Sequence, residues 1–120
     1  MTAPMDLYHI WCNLLPGTSD LEFCTAVDRY LGALRAEGRI ADHRIARRKL
    51  GLGPRELGEF HIVIELEDLA QLDRAFRTVS TRSGPIEALH HAVNRSACDV
   101  TFALYRDFPD SHREAGGERI

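Results

Sequence analysis

The stretch "EFHIVIELE", residues 59–67, constrains the fold more than any other part of this sequence. Phe60, Ile62, Ile64 and Leu66 put one wholly apolar face on a β-strand. His61, Val63, Glu65 and Glu67 fill the other face. A strand so one-sided must lie in a sheet covered by helices on one side only. "LYHIWCNL", residues 7–14, alternates in the same way, with Tyr8, Ile10, Cys12 and Leu14 on one side. Its second side, Leu7, His9, Trp11 and Asn13, is too apolar for open water and too polar for a plain core.

Between and after these strands the period changes from 2 to 3.6. Leu21, Cys24, Val27, Leu31 and Leu34 recur at helical spacing behind a Ser19/Glu22 capping box, and Gly38 closes that helix. Leu69, Leu72, Phe76 and Val79 repeat the pattern after Asp68, which has Gln71 three residues on. "PIEALHHAV" reads as a short further helix with Pro85 in its first turn. "RIADHRIARRKL" is a weak second strand and "DVTFALYRDF" a last one. The order is β-α-β-β-α-β, an α+β ferredoxin-like fold: an antiparallel sheet with two helices on one face. One domain is expected over residues 1–108, followed by a polar C-terminal tail over 109–120. The expected helix-side core contains Ile10, Leu31, Phe60, Ile62, Ile64, Phe76, Phe102 and Leu104.

The uncovered face then carries Leu7, His9, Trp11, Asn13, His61, Val63, Glu65, Ala103, Tyr105 and Asp107. A second copy of the sheet, related by a two-fold axis, is the simplest cover for such a face. The loop "GLGPRELGE" bears Leu50, Leu52 and Leu57, more leucine than a solvated loop needs, and is expected to pack on something.

"LYHIWCNL", "RRKLGLGPRELGEFHIVIE" and "ALYRDFP" resemble a family of short bacterial proteins without assigned function. That family is in turn similar to the dimeric α/β-barrel superfamily, over about residues 6–110. Relatives there include cofactor-free monooxygenases of the antibiotic-biosynthesis type, muconolactone isomerases, haem-degrading enzymes and proteins with no known activity. Their pockets lie between sheet and helices or in the barrel lumen. The resemblance implies the fold and a homodimer, the pair closing as a dimeric α/β barrel. It implies no particular catalytic residue, because the superfamily fixes none.

The residues themselves nominate a site on the uncovered face. His9 and His61 are candidate acid–base groups, since imidazole titrates near neutral pH. Trp11 and Tyr105 offer flat surfaces to a planar substrate. Asn13, Glu65 and Arg44 are candidate polar contacts to it. Three registers of the central strands are open: His9 opposite His61, His9 opposite Glu65, or Trp11 opposite His61. His9, His61 and Glu65 are also the ligand types of a facial iron triad, yet no metal-binding spacing supports them, and no metal or cofactor is expected. The reading is a homodimer with a small-organic-molecule pocket, monooxygenase- or isomerase-like. The alternative is a non-catalytic module whose polar face only specifies the dimer.

Other classes fit poorly. A net charge of −3 gives no overall attraction to nucleic acid. The RNA-recognition fold shares this element order but needs aromatics where His61, Val63 and Glu65 stand. The basic run Arg44, Arg47, Arg48 and Lys49 reads as a protected edge strand. No apolar run reaches membrane-spanning length, and the N-terminus lacks the features of a signal peptide. Three widely spaced cysteines suit reduced thiols, so a cytoplasmic location is expected.

Overall fold

The computed structural model describes residues 3–80 and 84–110. Four strands, β1 (Asp6–Leu14), β2 (Asp42–Arg47), β3 (Phe60–Leu66) and β4 (Ala97–Arg106), form one antiparallel sheet in the order β2-β3-β1-β4. That is the ferredoxin-like topology. Three helices accompany it: α1 (Asp20–Ala36), α2 (Leu69–Ser80) and α3 (Gly84–Asn94). The expected short third helix is thus a full element of 11 residues.

The helix ends follow the local chemistry. Ser19 caps α1 by accepting a hydrogen bond from the Glu22 N–H at 3.2 Å. Gly38, at φ +70°, turns the chain out of the helix. Asp68 accepts from the Gln71 N–H at 2.8 Å, and Gln71 Oε1 accepts from the Glu67 N–H at 2.7 Å. The other end of the Gln71 amide donates to the Gly38 carbonyl at 3.1 Å. This one buried side chain therefore ties the start of α2 to the end of α1.

The core lies between α1 and the middle of the sheet. Phe23, Val27, Leu31 and Leu34 of α1 pack with Cys12, Phe60, Ile62, Ile64 and Leu66. The stripe on α1 differs from expectation at its start. Leu21 is 77% exposed and Cys24 only half-buried, while Phe23 is buried. At 100° per residue, Leu21 stands about 120° round the helix from Val27 and Phe23 about 40°. Phe23 therefore reaches the sheet, packing edge-on to Phe60 with centroids 5.5 Å apart.

Leu31, Phe60, Ile62 and Ile64 are buried as expected and Ile10 is half-buried. Phe76, Phe102 and Leu104 are not: they are 49%, 57% and 50% exposed. The Gln71 ties turn α2 so that Gln71 and Ala75 are its buried positions, leaving Phe76 at the rim. Meanwhile α3 packs chiefly on α1, so among the described residues no helix lies closely over the edge strand β4.

The start of β1 and the end of β4 are tied together by charge pairs. Buried Asp6 accepts from Arg106 Nε at 2.6 Å, and Arg106 also lies 3.6 Å from buried Asp110. Ordered structure thus continues through residue 110, and residues 111–120 of the expected tail lie outside the described residues. Among the described residues, no helix is long and apolar enough to cross a membrane.

Candidate functional site

The sheet has two faces, and each adjoins a cavity. On the face away from the helices, pairing fixes three successive rows across the sheet. They are Asp42–Glu65–Leu7–Tyr105, Arg44–Val63–His9–Ala103 and Ala46–His61–Trp11–Thr101. Of the three open registers, the structure has Trp11 opposite His61.

That register brings His9 and His61 together diagonally. His9 Nδ1 and His61 Nε2 are 2.9 Å apart in a hydrogen bond. Trp11 stacks on His61 with ring planes 2° apart and centroids at 4.6 Å. Tyr105 meets His9 edge-on at 5.0 Å. Burial holds the His61 pKa below the ordinary histidine value, and the neighbouring His9 lowers it further; burial alone lowers that of His9. Both rings therefore favour the neutral form. One nitrogen of the pair donates and the other accepts, which requires that at most one ring be protonated.

Four candidates from the sequence, His9, Trp11, His61 and Tyr105, thus form one aromatic cluster. The other three stand apart from it. Glu65 lies between Leu7 and Asp42, a row beyond Val63. Arg44 occupies the outer strand and is exposed. Asn13 is committed elsewhere: its Oδ1 accepts from the Glu59 N–H at 2.9 Å and its Nδ2 donates to the Asp99 carboxylate at 3.2 Å. It braces the β1–β4 irregularity between Trp11 and Asn13. Among the described residues, no group of three His, Cys, Asp or Glu side chains is placed to hold a metal.

A groove of about 260 Å³ adjoins this cluster, between Trp11 and His61 on the sheet and Leu52, Pro54 and Leu57 of the 48–59 loop. Arg48 fixes the loop, donating to the carbonyls of Pro54 at 2.9 Å and Leu57 at 2.5 Å. Gly58 passes so close to β1 that a Cβ there would collide with the Cys12 backbone. Arg47 lies over the Phe60 ring and pairs with Asp20 and Glu59. Arg47 and Arg48 of the basic run are thereby absorbed into the architecture.

The second cavity, also about 260 Å³, lies on the helix side. Its floor is Tyr8, Ile10, Ile62 and Ile64 of the sheet, and α1, α2 and α3 close over it. Tyr8 is stacked on Phe102 at 5.8 Å and edge-on to Phe76 at 5.5 Å. Tyr30 and His90 also line the cavity, with ring centroids 5.2 Å apart. Asn94 is a further polar group on an otherwise apolar lining. Burial, with Glu87 and Tyr8 nearby, pushes the Tyr30 phenol up to about 12, so it is a neutral hydrogen-bonding group. Burial likewise raises the Cys12 thiol to about 11, helped by Cys98, which leaves it an unreactive wall residue.

Sequence reasoning passed over this cavity. Tyr8 reads as part of the apolar face of its strand, His90 lies within the short further helix, and Tyr30 stands outside the expected α1 stripe. The available signal was their polar tips: a tyrosine on an apolar stripe needs somewhere to place its hydroxyl.

Fold and cavities together define a ferredoxin-like α+β protein with pockets on both sides of its sheet. The chain belongs to a family of unknown function, DUF6614, whose profile matches residues 5–120. No curated protein matches the sequence. Among solved structures, an Arabidopsis thaliana protein superposes with a TM-score of 0.67 at 11% identity, over 88% of this chain and 98% of that one. A dimeric ferredoxin-like protein of unknown function from Jannaschia sp. CCS1 gives 0.62 at 11% identity, over 84% and 97%. SnoaB, a cofactor-independent oxygenase from Streptomyces nogalater, gives 0.58 at 11% identity, over 89% and 97%. At these identities the likeness is one of fold.

Proposed function

We propose that this is a homodimeric α/β-barrel protein that holds a small, flat, largely apolar organic molecule in the helix-side cavity. The observation that carries the reading is that cavity. It is apolar and roofed by helices, and it offers a few polar groups, the pattern of a small-ligand site. Tyr8, Phe76 and Phe102 suit a planar ring, while Tyr30, His90 and Asn94 suit a carbonyl or hydroxyl on it. The volume is near the low end for such sites, so the ligand is of the size of a substituted single ring.

In this reading the outer face meets the second copy, and the His9–His61–Trp11 cluster sets the fit between the two sheets. The dimeric state of fold relatives supports this, as does the cluster's pairing within itself.

A second reading makes the protein an enzyme, an oxygenase- or isomerase-like one whose base is His61. One observation favours it: His61 favours the neutral form and borders the outer groove. His9 would then hold the His61 ring, Trp11 and Tyr105 would stack on the substrate, and Asn13, Glu65 and Arg44 would contact its polar groups.

Thermal melts with small aromatic carbonyl compounds separate the two. A ligand binding only the folded state at 100 times its Kd adds about 2.7 kcal/mol of stability. The ligand-induced rise in Tm should disappear in Val79→Trp, which fills the helix-side cavity, and persist in His61→Ala. The opposite pattern would place the ligand in the outer groove.

A further inference from the structure

We propose that the 48–59 loop of each protomer closes the partner's helix-side cavity, so that Leu50 and Leu52 complete the ligand site in trans. This rests on the homodimer reading above.

The loop presents two leucines to solvent and is built to keep them there. Leu50 is 91% exposed and Leu52 76%. Leu50 itself has a left-handed backbone, φ +57°, and Gly51 follows at +67°. A leucine held in that conformation is uncommon and is maintained by its surroundings. Those surroundings are the Arg48 clamp and Gly53, where a Cβ would meet the Arg48 guanidinium at 2.7 Å. The loop is therefore a fixed projection with an apolar tip.

A complementary deficit stands at the other edge of the sheet. Val100, Phe102 and Phe76, all at least 41% exposed, rim the helix-side cavity where, among the described residues, no helix lies closely over β4. The loop cannot cover its own rim. It springs from β2, and β4 is three strand spacings away, about 14 Å.

Two-fold symmetry brings the two patches together. Let the sheets pack outer face to outer face about an axis parallel to the strands. Strand order is then reversed across the axis, and β2 of one protomer lies over β4 of its partner. Ends are kept: β2 finishes at Arg47, at the same end of the sheet where β1 finishes at Leu14 and β4 begins at Ala97. The loop therefore arrives beside the partner's β4 where that strand starts, next to Val100 and Phe102 of the partner subunit. Held by the Lys49–Leu52 turn, the loop tip meets the partner's open edge at β4, with the sheets about 10 Å apart. An axis perpendicular to the strands would set β2 over β2 and leave both patches in water. Because the contact is isologous, it forms twice per dimer.

The test is trans cross-linking in a full chain with Cys12→Ala, Cys24→Ser and Cys98→Ser. Chains carrying Leu52→Cys and chains carrying Phe102→Cys, with different tags, are mixed and mildly oxidised. The expected product is a disulfide joining unlike chains, since Cα atoms must come within about 7 Å to be bridged. Leu50→Cys with Val100→Cys provides a second pair. In parallel, Leu50→Ser/Leu52→Ser should weaken binding of benzamide at least 5-fold while sizing still shows a dimer. A dimer that yields no mixed disulfide with either pair overturns this inference and leaves the homodimer reading intact. A monomer at micromolar concentration overturns both.

Discussion

The two faces of one sheet have opposite characters, and the difference is set by β1 and β3 alone. On the helix side these strands present Ile10, Ile62 and Ile64 beside Tyr8, and the helices stand far enough off to leave an apolar cavity. On the outer side the same strands present His9, Trp11 and His61, which stack on one another, the two histidines also sharing a hydrogen bond. Apolar walls that cannot meet leave room for a guest. Polar rings that pair in the plane of the face leave a surface with a defined shape, suited to a symmetric partner. Alternation along a single strand is enough to give a protein both.

Ile62 sharpens the contrast most. It is core and cavity floor at once, so Ile62→Ala should cost about 2–5 kcal/mol in denaturant melts and enlarge the cavity. An aromatic ligand should then recover part of the loss, stabilising the variant more than wild type. A cost within experimental noise would mean that the helix side is not the buried side.

A smaller effect is expected from pH, and it belongs to the outer face only. The pKa values of His9 and His61 are lowered on folding, so the folded state favours the neutral rings. Their contribution to stability is complete above the unfolded value of about 6.5. It is lost as pH falls below that value towards the folded one, because the unfolded chain then binds more protons. Urea midpoints should drop between pH 7 and pH 5.5, and His61→Gln should flatten the drop. An equal slope in His61→Gln would show that the pair is not the source.

The sequence carried the topology well and the cavity poorly, for one physical reason. Period-2 alternation in Phe60–Leu66 and the helical stripe through Val27, Leu31 and Leu34 are local patterns, each set by backbone geometry. They identify which side of an element is apolar. They do not say how closely two apolar sides approach. Phe76, Phe102 and Leu104 fit the core pattern yet sit at a rim, because Gln71 fixes the roll of α2 and α3 leans on α1. The outer cluster was legible as a shared face by parity. Its pairing waited on register, which a one-face pattern leaves open to shifts by two. The 48–59 loop was legible as over-rich in leucine, and its rigidity was not, since the Arg48 clamp depends on the folded path of the loop.

Trp11 is the only tryptophan in the chain and lies on the outer face, so its emission tests the division between the faces directly. The measurement is the Trp11 emission maximum, excited at a wavelength where benzamide is transparent, under dilution and under ligand titration. A red shift is expected as the protein is diluted through the dimer dissociation range, and no shift as benzamide saturates the helix-side cavity. A maximum that moves on ligand saturation and stays constant on dilution would put the ligand on the outer face and contradict the account.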